Sequence, residues 1–181
     1  RYPAPRAFFD GPMTIAIVDY GSGNLRSAAK AFERAAHEAG THERVVVTSA
    51  PRDVAAADRI VLPGVGAFAD CRDGLYGVPG MVDTLHREVI ERGKPFLGIC
   101  VGMQLMATRG VEYGIHPGLD WIAGDVVRIQ PGTQHLKIPH MGWNELSCLK
   151  PHALLDGICA HNHAYFLHSF QLAAAKTLSV L

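Results

Sequence analysis

From Thr14 to Ile99 the chain alternates short continuous apolar runs with longer stretches whose apolar residues recur at helical spacing. Thr14-Ile15-Ala16-Ile17-Val18-Asp19, Val45-Val46-Val47-Thr48, Arg59-Ile60-Val61-Leu62 and Pro95 to Ile99 are too brief for helices, so they read as buried strands. Leu25 to Ala39 puts Leu25, Ala28, Ala29, Phe32, Ala35 and Ala36 near one face, and Gly40 ends it, as expected of an amphipathic helix. Pro79 to Arg92 has proline near its first turn and glycine just after it, the arrangement of a second helix. Asp53 to Ala57 supports only a short helix, and Val101 to Arg109 reads as a helix that follows the fourth strand at once. Strands alternating with helices at this spacing predict parallel βαβ units. The fold class is therefore α/β, an open and mostly parallel sheet with helices on both faces.

After Gly110 the pattern changes. Trp121 to Ile129, Met141 to Leu146, Ala164 to Gln171 and Thr177 to Leu181 look like strands joined by turns, with a short helix near Ala153 to Ile158. These predict an antiparallel extension beside the parallel sheet. Residues 1–12 carry prolines and adjacent phenylalanines without periodicity and are expected to be a non-native or disordered extension, leaving residues 13–181 as one domain. Composition adds exclusions. The 17 basic and 17 acidic side chains cancel, which removes any general electrostatic case for nucleic acid or an anionic membrane. No apolar run approaches the roughly 20 residues of a membrane span. The cysteines at 71, 100, 148 and 159 form no Cys-x-x-Cys pair and no regular framework, arguing against structural zinc and a disulfide scaffold. With no secretory signal in view, a cytoplasmic location is expected.

The chemistry concentrates around Gly98-Ile99-Cys100-Val101-Gly102. A nucleophile on a sharp strand-to-helix turn needs small residues two places to either side, because its backbone is crowded while its side chain must project outward. Cys100 fits that position, a helix start favours its thiolate, and the Val101 amide can receive an oxyanion. The alternative is a buried, inert cysteine. Pro63-Gly64-Val65-Gly66 also ends a strand; if the third and fourth strands are neighbours, it faces Cys100 and supplies a second amide. Gly21-Ser22-Gly23 has Arg26 where a dinucleotide loop needs its third glycine, which favours a tight turn before a helix at Asn24. His161, His163 and His168 lack an acidic or thiol partner at metal spacing, so local hydrogen bonding is expected of them rather than a metal; His135 and His140 carry no stronger pattern. Trp143 is either core or an aromatic anchor at a partner surface.

Gly98-Ile99-Cys100-Val101-Gly102-Met103-Gln104 resembles the nucleophile motif of class I glutamine amidotransferases, a flavodoxin-like fold family. Asp19-Tyr20-Gly21-Ser22-Gly23-Asn24-Leu25, Leu62 to Phe68, Pro139-His140-Met141-Gly142-Trp143-Asn144 and Tyr165 to Phe170 narrow the resemblance to the glutaminase subunits of imidazole glycerol phosphate synthases, from about Met13 onward. The resemblance implies hydrolysis of L-glutamine, with ammonia passed to a (β/α)8-barrel cyclase subunit that makes imidazole glycerol phosphate in histidine biosynthesis, and no cofactor or metal. By position, Cys100 would be the nucleophile, and Val65, Gly66 and Val101 the oxyanion hole. Gln104, Ser169 and Phe170 would hold glutamine, Phe170 standing where the family has tyrosine. Asn24, Trp143 and Tyr165 would face the cyclase. The family completes its triad with a histidine and a glutamate in a His-Pro-Glu-Lys-Ser motif beyond Phe170. Residues up to Leu181 hold no such motif, and His116-Pro117-Gly118 cannot replace it, so the resemblance implies an impaired glutaminase from these residues alone. Two alternatives stand beside it: a non-catalytic docking subunit of the same complex, and a cysteine hydrolase of α/β-hydrolase type.

Overall fold

The computed structural model describes residues 12–132, 136–148, 155, 158 and 162–175. The chain divides into two compact units, one through Met106 and one from Ala107. In the first unit the strands β1 (Thr14–Val18), β2 (Arg44–Thr48), β3 (Arg59–Gly64) and β4 (Phe96–Cys100) form one parallel sheet in the order β2-β1-β3-β4. The continuous apolar runs are what this demands, since central parallel strands bury both faces. Ile17, Val18, Ile60, Val61 and Leu62 are all essentially inaccessible. Helix α1 (Leu25–Glu38) lays Leu25, Ala28, Ala29 and Phe32 against Ile15, Ile17 and Val61, the predicted apolar face. Asn24 caps it, its side chain accepting the Ser27 N–H at 3.2 Å. Helix α2 (Pro51–Ala56) is the short helix expected near residue 53.

Three sequence expectations for this unit need correction. The stretch after Gly66 forms helix α3 (Phe68–Gly77), where the reading placed no element; Phe68, Cys71 and Leu75 are its buried face, and Gly74 and Gly77 mask the periodicity. The helix expected over Pro79 to Arg92 is α4 (Met81–Leu85) running into a wider π-helical turn, His86–Glu91. That turn buries Glu88, whose carboxylate takes Arg87, Arg92 and Lys94 as partners at 2.9–3.1 Å. Burial by itself would raise the Glu88 pKa, but the hydrogen bonds from Lys94 and Arg87, with Arg92 behind them, prevail and hold it below the usual glutamate value. Lys94 also donates to the Ala55 carbonyl at 2.7 Å, tying the approach to β4 onto the end of α2. Finally, the helix expected over Val101 to Arg109 is only α5 (Val101–Gln104). Its expected second half is strand β5 (Ala107–Gly110), which finds a parallel partner in Ile122–Arg128 and so satisfies its backbone without a helix.

The second unit holds a sheet in the order β10-β7-β5-β6, formed by β5, β6 (His116–Pro117), β7 (Ile122–Arg128) and β10 (Phe170–Ala174), and a separate hairpin of β8 (His140–Glu145) and β9 (His163–His168). The predicted extension is thus antiparallel in its β5–β6, β7–β10 and β8–β9 pairs, with one parallel pair, β5–β7. The single strand expected over Ala164 to Gln171 is two strands of different sheets, parted at Ser169. The expected strand at Thr177 to Leu181 and most of the helix at Ala153 to Ile158 lie outside the described residues. Cys71 and Cys100 are free thiols, whereas Cys148 is disulfide-bonded, which cysteine spacing did not announce. No helix among the described residues is long and apolar enough to cross a membrane.

Candidate functional site

Strands β3 and β4 finish side by side, with Leu62, Pro63 and Gly64 opposite Gly98, Ile99 and Cys100. The neighbourhood assumed from the sequence is therefore present, and the Pro63–Gly66 stretch runs past the turn that carries the thiol. At Cys100 the chain passes from β4 into α5 with φ 55° and ψ −118°. That is the mirror image of an extended conformation, open to glycine and strained for a residue with a Cβ, at about 1–3 kcal/mol. The thiol is free and exposed.

The flanking glycines are demanded by backbone collisions. A Cβ on Gly102 would sit 1.8 Å from the Leu62 carbonyl oxygen, and one on Gly98 would sit 2.5 Å from the Met103 Cα. A Cβ on Gly64 would lie 2.7 Å from the Gly102 nitrogen. The end of β3 thus lies flush against the start of α5, and this contact bends the chain sharply enough to push Cys100 outward. Val101 follows as the first residue of α5, where backbone N–H groups have no partner within the helix. Gln104, on the same short helix, is buried.

The loop after β3 is held by residues that sequence reasoning did not single out. The Tyr20 hydroxyl donates to the Pro63 carbonyl at 2.6 Å; burial, and after it the neighbouring Cys71, pushes the phenol well above its ordinary pKa. Ser22 clamps Val65 from both sides. Its Oγ accepts the Val65 N–H at 3.1 Å and lies 2.9 Å from the Val65 carbonyl, to which it donates. Cys71 Sγ sits 3.2 Å from both Ser22 Oγ and the Val65 carbonyl oxygen. In this conformation the Val65 amide is committed to Ser22. Gly66, at φ 97°, provides the turn that follows. Gly23 packs so closely on Pro63 that a Cβ would come within 2.8 Å of the proline Cβ, so the Gly21-Ser22-Gly23 loop serves packing and clamping of the β3 loop. Ser22 was visible in that glycine-flanked motif, but only the fold pairs it with Val65.

The other predicted residues stand on other elements. Asn24 is exposed and caps α1. Trp143 and Tyr165 face each other across the β8–β9 hairpin, edge to face at 5.6 Å, and are 69% and 54% exposed; Trp143 is therefore not core. Met141 and Leu167, also a pair, extend the same exposed apolar face. Ser169 and Phe170, half-buried, form the corner where β9 passes into β10. Among the described residues no group of His, Cys, Asp or Glu is gathered as a metal site.

Comparison with known proteins agrees with this geometry. The family described as glutamine amidotransferase class-I matches residues 16–180. The imidazole glycerol phosphate synthase subunit HisH of Rhodopseudomonas palustris is 58% identical over 172 residues, covering 93% of this chain and 80% of its own. The HisH subunit of Rhodospirillum rubrum is 58% identical over 164 residues, covering 90% and 77%. A crystal structure of a glutamine amidotransferase superposes with a TM-score of 0.64 over 90% of this chain and 75% of that one; at 18% identity it speaks for the fold alone. The chain belongs to the class-I glutamine amidotransferase family and, within it, to the HisH subunits of imidazole glycerol phosphate synthase.

Proposed function

We propose that this chain is a glutaminase subunit in which Cys100 is the nucleophile, hydrolysing L-glutamine and supplying ammonia for imidazole glycerol phosphate formation in histidine biosynthesis. The observation that carries the reading is the strained, exposed Cys100 at the β4–α5 turn, with glycines enforced on both sides by the neighbouring backbone. The thiolate attacks the side-chain amide carbonyl of glutamine. The carbonyl oxygen takes the negative charge, the amide nitrogen takes up the proton the thiol gave up, the C–N bond breaks to release ammonia, and a glutamyl thioester remains for water to hydrolyse to glutamate. For the proton traffic the family uses a histidine–glutamate pair in a motif that residues 1–181 do not contain, and no residue of the chain is assigned to it.

Val101 offers one amide to the oxyanion. Val65, with the turn at Gly66, offers the second only after exchanging Ser22 Oγ for the developing charge, so the hole is half assembled in this conformation. Gln104, Ser169 and Phe170 are proposed to hold the substrate, Phe170 through its backbone. The exposed apolar face around Trp143 and Tyr165, with Asn24, is proposed to meet a (β/α)8-barrel cyclase as a heterodimer. The biosynthetic role favours the cytoplasm.

Two measurements test the reading. An electrophilic analogue of glutamine should modify Cys100 and no other cysteine, and Cys100→Ser should abolish both modification and glutamine hydrolysis in the presence of the cyclase. Labelling elsewhere, or hydrolysis that survives the substitution, overturns it. Trp143→Ala and Tyr165→Ala should each weaken cyclase binding without altering the labelling of Cys100. Unchanged cyclase affinity removes the hairpin face from the interface.

A further inference from the structure

The face of the β8–β9 hairpin opposite Trp143 carries a polar arrangement that the proposed chemistry does not use. His140 and His168 are cross-strand partners, as are Gly142 and Phe166. Across the strands from Gly142, Phe166 stacks on His140, with ring centroids 5.0 Å apart and planes 22° apart. Held there, His140 Nδ1 lies 3.1 Å from His168 Nε2, the Asn144 amide nitrogen lies 2.8 Å from His140 Nε2, and His168 Nδ1 lies 2.9 Å from the Phe170 carbonyl oxygen.

Hydrogen-bonding capacity gives this row a direction. A carbonyl oxygen only accepts, so His168 Nδ1 carries a hydrogen. A neutral His168 then presents a lone pair at Nε2, so His140 Nδ1 must carry the hydrogen between the rings. His140 Nε2 is left to accept from Asn144. The chain runs one way, Asn144 to His140 to His168 to Phe170.

The row ends at the corner where the backbone changes sheets. Ser169 follows β9, its carbonyl accepts the Ile129 N–H at 2.9 Å, and Phe170 opens β10 opposite Arg128. The His168–Phe170 bond spans this corner and fixes the Phe170 peptide with the ring of His168 braced by His140. We propose that Asn144, His140 and His168 are positioning residues whose one-way hydrogen-bond chain holds the Ser169–Phe170 corner in the conformation that receives glutamine. The proposal rests on the assignment of that corner to glutamine.

The test is made on the chain in complex with its cyclase. His168→Ala should raise the glutamine KM about tenfold, the equivalent of one hydrogen bond to a positioned group, with kcat changed much less. His168→Asn, whose side-chain N–H can reach the Phe170 carbonyl as Nδ1 does, should restore most of the loss. His140→Ala should raise KM by a smaller factor and leave cyclase affinity unchanged, since its side chain is on the face away from Trp143. Imidazole nitrogen-15 spectra should show both rings protonated at Nδ1 and His168 bare at Nε2. A hydrogen on His168 Nε2, or a KM for His168→Ala equal to that of the parent, overturns the proposal while leaving the glutaminase reading in place. Failure of Cys100 to react with the glutamine analogue removes the glutaminase reading, and the tautomers then decide the chain by themselves.

Discussion

Replacing Cys100 by alanine and, separately, by glycine divides the backbone cost of the elbow from the chemistry of its thiol. Both substitutions delete an exposed sulfur, so neither forfeits much buried surface. At an ordinary position alanine would be the more stable of the two by about 0.4–1 kcal/mol, because glycine has more unfolded-state freedom to lose. At φ 55° and ψ −118° alanine keeps a Cβ penalty of about 1–3 kcal/mol that glycine escapes. Taking the middle of each range, glycine should win by about 1 kcal/mol, a reversal of the usual order. Urea unfolding followed by far-UV circular dichroism reads the relevant unit, since α1 and α3 lie in it. With a slope near 2 kcal/mol/M the midpoint of Cys100→Gly should lie roughly 0.5 M above that of Cys100→Ala. Equal midpoints, or alanine the more stable, would refute the claim that this turn stores strain, and would remove the physical ground for reading residue 100 as a nucleophile elbow.

Three other outcomes follow from the same geometry. Gly102→Ala should cost more than about 3 kcal/mol and abolish labelling of Cys100, because its Cβ meets the Leu62 carbonyl at 1.8 Å; Gly77→Ala, with open space around it, should stabilise by up to about 1 kcal/mol in the same urea titration. Ser22→Ala deletes the acceptor that holds the Val65 amide; losing two bonds worth about 1 kcal/mol each should raise cyclase-independent glutamine hydrolysis about thirtyfold, and a rate unchanged or lower in a steady-state ammonia assay would contradict the clamp. Glu88→Gln should destabilise by about 2–3 kcal/mol at pH 7, since it strips a buried carboxylate from Lys94, Arg87 and Arg92. The Glu88 pKa is depressed in the fold, so its contribution is present in full above the unfolded value near 4.3 and is lost as pH falls through the lower folded value. The gap between the two proteins should therefore close below about pH 4 in a stability profile, and a gap constant with pH would show that the ion cluster is not its source.

The parallel strands and α1 were legible because each depends on a local pattern that burial enforces: Ile15 to Val18 is apolar without interruption since both faces of β1 are covered. Helix α3 escaped because Gly74 and Gly77 dilute its period, although Phe68, Cys71 and Leu75 already stood at helical spacing. Gly74 is where a Cβ would meet the Tyr20 carbonyl at 2.9 Å, so the residue that obscures the helix is one its packing requires. The extent of α5 was misjudged for the opposite reason. Val101 to Arg109 has acceptable helix formers, but β7 offers backbone partners to Ala107–Gly110, and tertiary pairing outranks a weak local preference. At Ser169 the run of strand formers conceals a change of sheet that only the pairing of Phe170 with Arg128 reveals.

The same division runs through the candidate site and separates what is fixed from what can change. The elbow is maintained by overlaps between backbone atoms: a Cβ at 98, 102 or 64 would stand 1.8–2.7 Å from a neighbour, and no rearrangement of side chains relieves that. Such a constraint must be written in residue type, which is why Gly-x-Cys-x-Gly carries it openly. The direction of the Val65 amide is decided by two hydrogen bonds to a hydroxyl 43 residues earlier in the chain, together worth about 1–3 kcal/mol. No short motif encodes a choice of that size, and any oxyanion amide supplied by Val65 must be released against it. A partner that binds the released form about tenfold more tightly supplies about 1.4 kcal/mol, enough to shift such a balance and far too little to reshape the elbow. Control by a partner subunit is therefore expected to act on the Pro63–Gly66 loop and its Ser22 clamp, with the position of the thiol unchanged.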